Sequence, residues 1–154
     1  QDAQGFMRVW FMDGTKRLGT VNIWVHHGSG SGNSAAAPVQ KLESYVYGEW
    51  EADIYIIGHM TKMAGVPKNR CYPIWEGVPH LSHRKKLLIG SGGFSLAYVE
   101  HSRQGQVPRG GYVEQRMMKP VVLGCPIIRI TPSLVRREKG IDQRAWAPRI
   151  TVET

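Results

Sequence analysis

Cysteine is scarce in this 154-residue chain, with Cys71 and Cys125 the only two. Neither has a C-x-x-C neighbour, so a disulfide scaffold is excluded and no zinc or redox motif is present. A reducing, cytoplasmic setting is the expectation. Long hydrophobic runs are also missing. None approaches the roughly 20 residues that span a bilayer, so no membrane partner is expected. No charged-then-apolar leader is present, and the chain begins at Gln1, which leaves processing or an upstream segment open. Self-similarity at about 20–50 residues is absent, which excludes repeat architectures. There is no G-x-S-x-G elbow, no P-loop lysine and no pair of carboxylates placed for glycoside chemistry.

Acidic residues are few, twelve against twenty basic, for a net charge of +8. With 42% hydrophobic and 21% charged residues, the composition is that of a folded domain rather than a disordered tail. Residues 1–77 carry seven basic and seven acidic side chains. Residues 78–154 carry thirteen basic and five acidic, so the whole excess lies in the second half. Such asymmetry points to a polyanion, nucleic acid included, or to a surface merely rich in lysine and arginine.

Residues 6–12 and 18–25 are apolar and rich in β-branched or aromatic types, with Asp13-Gly14-Thr15 between them, which predicts a β-hairpin. After Val25 comes a glycine- and serine-rich loop. Val39, Leu42, Val46 and Trp50 then recur at helical spacing over 34–50, with Pro38 near the front of the helix. Residues 53–57 (DIYII) read as a strand buried on both faces, parallel to the strand before the helix. Asp53 is expected to cap the turn before that strand, and Glu43, Glu49 and Glu51 to form a solvated helix face. Beyond Gly58 the short runs at 71–76, 86–90, 95–99, 111–117 and 121–130 predict mostly antiparallel β-structure. The stretch near Arg136 is too polar to assign.

Two histidine-bearing turns follow the two predicted parallel strands. His26-His27-Gly28 leads into Ser29-Gly30-Ser31-Gly32, and Gly58-His59 leads into Met60-Thr61-Lys62. Ligands bind outside the carboxyl ends of neighbouring parallel strands, and neutral imidazole is the commonest nitrogen donor to divalent metals. Glycines such as Gly28 and Gly30 let backbone N–H groups approach an anion. Arg84, Lys85 and Lys86 form a basic run that suits an anion as well. His80 and His83 flank that run and read as surface residues, and His101 sits in a polar turn.

The order strand, His-His-Gly, glycine loop, helix, strand, Gly-His resembles the C-terminal part of the calcineurin-like metallophosphoesterase superfamily, above all its small phage-encoded members. Residues 83–94, Tyr112–Gln115 and Leu123–Ile128 add to the likeness, which spans residues 6–130 and leaves 131–154 as a basic C-terminal segment. The resemblance implies an α/β fold like the C-terminal half of an αββα sandwich, ending in mostly antiparallel β-structure. It also implies divalent metal ions (Mn, Zn or Fe), ligated by His27 and His59. His26 and Thr61 become second-shell or substrate-facing groups. Thr61 stands where the family's Gly-His-x-His motif has its second histidine.

The Asp-x-His, Gly-Asp and Gly-Asn-His motifs of the family's N-terminal half do not occur in these residues. The resemblance therefore implies hydrolysis of a phosphoester by a metal-activated hydroxide if those motifs are supplied from elsewhere. A catalytically dead structural or interaction protein on the same scaffold is the alternative, in a virion or the host cytoplasm. A nucleic-acid-binding protein using the basic second half is the other. Half a sandwich leaves an apolar face and strand edges uncovered, so a homo-oligomer or a partner chain is expected.

Overall fold

The computed structural model describes residues 4–28, 34, 36–45, 49–59, 62–75, 77–93, 103–104, 107–108, 124–136 and 144–153. Strands β1 (Gln4–Asp13) and β2 (Lys16–His26) form the hairpin that the two apolar, β-branched and aromatic runs and the turn between them predict. Helix α1 (Ala37–Tyr45) follows, with Pro38 in its first turn, where a missing N–H costs little. The helix is shorter than the periodic stretch suggests, and Trp50 lies beyond it. Strand β3 (Ile54–Ile57) then pairs parallel with β2, Ile23 opposite Ile54 and His26 opposite Ile57.

The chain next crosses to the far edge of the sheet as β4 (Met63–Ile74). It returns between β4 and β3 as β5 (His80–Ser91), antiparallel to β4 and parallel to β3. The result is one mixed sheet in the order β1-β2-β3-β5-β4. Two ribbons follow, a short one from β6 (Arg103–Gln104) and β7 (Val107–Pro108) and a long one from β8 (Ile127–Arg136) and β9 (Arg144–Glu153).

Side chains alternate between the two faces of the sheet, and each face has its own core. On one face Trp24, Tyr55, Ile57 and Leu88 pack against Val39 and Leu42 of α1. A Cβ at Gly90 would fall 2.5 Å from Pro38 Cβ, so only glycine lets the helix lie this close to β5. On the other face Val21, Ile23, Ile54, Leu87 and Ile89 are covered by Ile128, Ile130, Ile150 and Val152 of the β8–β9 ribbon.

This arrangement corrects the expected fold class. The protein is mostly β, with α1 the only helix among the described residues, and it is not half of an α/β sandwich. After β3 the chain builds a long hairpin instead of a second helical layer, and a β-ribbon shields the second face. The unassigned stretch near Arg136 is strand up to Arg136, the last residue of β8. The runs predicted at 95–99 and 111–117 lie outside the described residues. No helix among the described residues is long and apolar enough to cross a membrane.

Candidate metal centre

Both histidine turns leave the sheet at one level, because His26 and Ile57 are register partners on parallel strands. The Gly58 N–H donates to the His26 carbonyl at 2.8 Å and ties the two turns together. Gly28 has φ +79°, and a Cβ there would lie 2.4 Å from the Gly58 carbonyl oxygen. Only glycine permits both that backbone conformation and that approach.

His27 and His59 are exposed and face each other across this junction, ring centroids 4.8 Å apart at 53°. His59 has φ +51°, the one non-glycine residue with positive φ among those described. A left-handed conformation costs a side chain about 1–2 kcal/mol. Strain of this kind persists where the surroundings hold it, commonly at functional sites.

His26 is placed differently. Its Nδ1 accepts the Gly28 N–H at 2.7 Å, so the neutral ring carries its proton on Nε2. The ring stacks on Trp24 at 5.5 Å and 16°, half-buried on the helix side of the sheet. Its bond to Gly28 holds the turn that presents His27. Beneath it the Trp24 indole N–H is buried with no hydrogen-bond partner among the described residues, a further cost of about 1–3 kcal/mol in the strand that carries the site. Thr61 and Gly30 lie outside the described residues.

The donor set can be tested against a divalent ion. With metal–nitrogen bonds of about 2.1 Å, two imidazoles sharing one ion at ordinary angles have centroids roughly 4.5–5.3 Å apart. The observed separation falls in that range. No group of three or more His, Cys, Asp or Glu side chains placed for a metal occurs among the described residues. That spacing leaves room for one shared ion, whose other positions need water, substrate oxygens or further protein donors.

The basic run does not join this site. Leu87 pairs with Ile54 at the start of β3, and His59 follows its end. At about 3.3 Å per residue, Arg84 lies some 20 Å along β5 from the histidine level. Arg84 and Lys85 are exposed. Lys86, expected to bind an anion, is instead 1% exposed, its ammonium 2.6 Å from Glu51 and 3.3 Å from Asp53. Its charge is already neutralised by two carboxylates.

That cluster was not readable as a unit. Glu51 accepts from Lys86, from the Tyr72 hydroxyl at 2.8 Å and from Arg70 at 3.3 Å. Burial alone pushes the Glu51 pKa up, and these donors outweigh it, leaving the carboxyl below its ordinary value. Burial likewise pushes the Lys86 amine down, but Glu51, Tyr72 and Asp53 carry it above the usual lysine value. Asp53 caps no turn. Its Oδ2 accepts the Asn22 N–H at 2.9 Å while Oδ1 meets Lys86, so one carboxylate joins β2 and β5 across the start of β3. No nearby pattern marks these partners, since Glu51 and Lys86 are 35 positions apart.

No protein-family model matches the chain, and no curated protein or solved structure is significantly similar to it.

Proposed function

We propose that this protein binds a divalent metal ion between His27 and His59 and acts on a phosphoester there, as a metallophosphoesterase-like hydrolase whose remaining ligands come from outside the residues described. The observation that carries the reading is the pair of facing imidazoles, 4.8 Å apart at the carboxyl ends of two parallel strands. The left-handed backbone at His59 supports it, because strain of this kind is commonly kept at functional sites. A bound Mn, Zn or Fe ion would neutralise phosphoryl oxygens and activate water. The chain's own part is to fix the two donors: Gly28 and Gly58 set the turn spacing, and His26 locks the first turn through its Nδ1.

Cytoplasmic placement belongs to the same proposal, supported by a sequence with only two cysteines and no C-x-x-C spacing. The test is hydrolysis of bis(p-nitrophenyl) phosphate with Mn²⁺ by the full-length natural protein. Activity should fall at least tenfold in His27→Ala and in His59→Ala, an estimate from the usual cost of losing a metal-site group. Hydrolysis that survives both changes contradicts the proposal. A catalytically silent protein with no metal affinity favours the structural alternative.

A further inference from the structure

The two edges of the five-stranded sheet are built differently. Edge strand β4 carries Pro67, Lys68, Arg70 and Pro73, the prolines and charges that keep an exposed edge from pairing. Edge strand β1 has no proline and no lysine over ten residues, and among the described residues it pairs with β2 alone. It also exposes large apolar side chains: Phe6 at 57%, Met7 at 53%, Trp10 at 59% and Met12 at 50%. Phe6, Arg8 and Trp10 share the helix-side face with Trp24, which is opposite Phe6, and Met12 follows beyond a register shift between Phe11 and Met12; α1 packs over β3, β5 and β4 and leaves this stripe bare. Trp50 extends the stripe, its ring 5.6 Å from Phe6.

We propose that β1 is a dimer edge, pairing antiparallel with β1 of a second copy about a two-fold axis at Val9. The strand is self-complementary in that register. Phe6 meets Met12 of the other copy and Met7 meets Phe11, so apolar residues oppose apolar residues on both faces. Arg8, which donates to Asn22 on its own β2, comes opposite the Trp10 ring, where a guanidinium is attracted to the aromatic face. Shifting the centre to Arg8 would set two like charges against each other. Shifting it to Trp10 would leave Asp13 opposite Met7.

The area is adequate for a stable pair. At about 150–250 Å² for a large side chain, the four exposed apolar residues offer roughly 400–500 Å² per copy. Two copies, with the added strand backbone and Trp50, then reach the order of 1,000 Å² or more that specific interfaces bury. A second copy also satisfies the open N–H and C=O groups of both edges at once.

Light scattering with size exclusion at about 50 μM, where a micromolar pair is mostly associated, should give twice the chain mass. Trp10→Lys should raise the dimer dissociation constant on the order of thirtyfold or more, as for a central interface aromatic. Circular dichroism melting should confirm that this variant remains folded. In a Cys71→Ser/Cys125→Ser background, Val9→Cys should crosslink to itself under mild oxidation, and Gly5→Cys should not. A monomeric wild-type protein overturns the proposal. So does a dimer that tolerates Trp10→Lys, or one in which Val9→Cys fails to crosslink.

Discussion

Lys86→Met removes a buried ammonium and leaves its hydrocarbon volume nearly unchanged, which makes it the cleanest probe of how the sheet is held at the start of β3. Deleting one partner of a buried ion pair costs about 3–5 kcal/mol. Glu51 is 51% exposed and hydrates once freed, so its share is small. Asp53 is 17% exposed and keeps an uncompensated charge beside the sheet. A net loss of about 2–3 kcal/mol is therefore expected, or about 5–10 °C in Tm for a chain of this size. Urea unfolding of Lys86→Met, Asp53→Asn and the double variant measures it. The asparagine keeps an oxygen for the Asn22 N–H, so the double variant should lose about 1 kcal/mol less than the sum of the singles. A Lys86→Met protein within about 0.5 kcal/mol of wild type, or strict additivity, would refute the reasoning.

The same cluster fixes a pH dependence. The Glu51 carboxyl titrates lower in the folded state, so its contribution is present above the ordinary value of 4.5 and is lost as pH falls through the folded value. Lys86, Tyr55 and Tyr72 all titrate higher when folded, so their contributions are complete below their ordinary values of 10.5, 10.0 and 10.0 and are lost as pH rises. Melting temperature against pH should fall at both ends, and Lys86→Met should flatten the acid limb. His59→Gly relieves the left-handed strain while His59→Ala keeps it, so the glycine variant should be about 1 kcal/mol the more stable by urea unfolding. Gly28→Ala forces a Cβ against the Gly58 carbonyl and should cost about 2–3 kcal/mol in the same assay, because the obstacle is backbone.

Local chemistry made part of the fold readable. The apolar, β-branched and aromatic runs of β1 and β2, the turn at 13–15 and the apolar run of β3 match the structure because each is decided within a few residues. The runs at 71–76 and 86–90 fall within the antiparallel β4–β5 hairpin, but its full length was not readable, because residues 63–70 and 80–85 lack the apolar alternation of a half-buried strand. Pro67 and Pro73 are tolerated only because β4 lies at an edge, a fact of topology rather than of composition. The covering role of β8 and β9 depends on contacts between Ile150 and strands about a hundred positions earlier. At the candidate site, the histidine pair was readable from the rule that ligands collect beyond strand carboxyl ends. The fate of Lys86 was not, since Arg84 and Lys86 lie on the same face over the Tyr72 ring and only the distant carboxylates of Glu51 and Asp53 single out Lys86.

Titration of the protein with Mn²⁺ or Zn²⁺ by isothermal calorimetry at neutral pH tests the central claim most directly. One ion per chain should bind, and binding should be lost in His27→Ala and in His59→Ala but kept in His80→Ala, at the far end of β5. Absence of saturable binding, or binding that survives loss of both His27 and His59, would contradict the account.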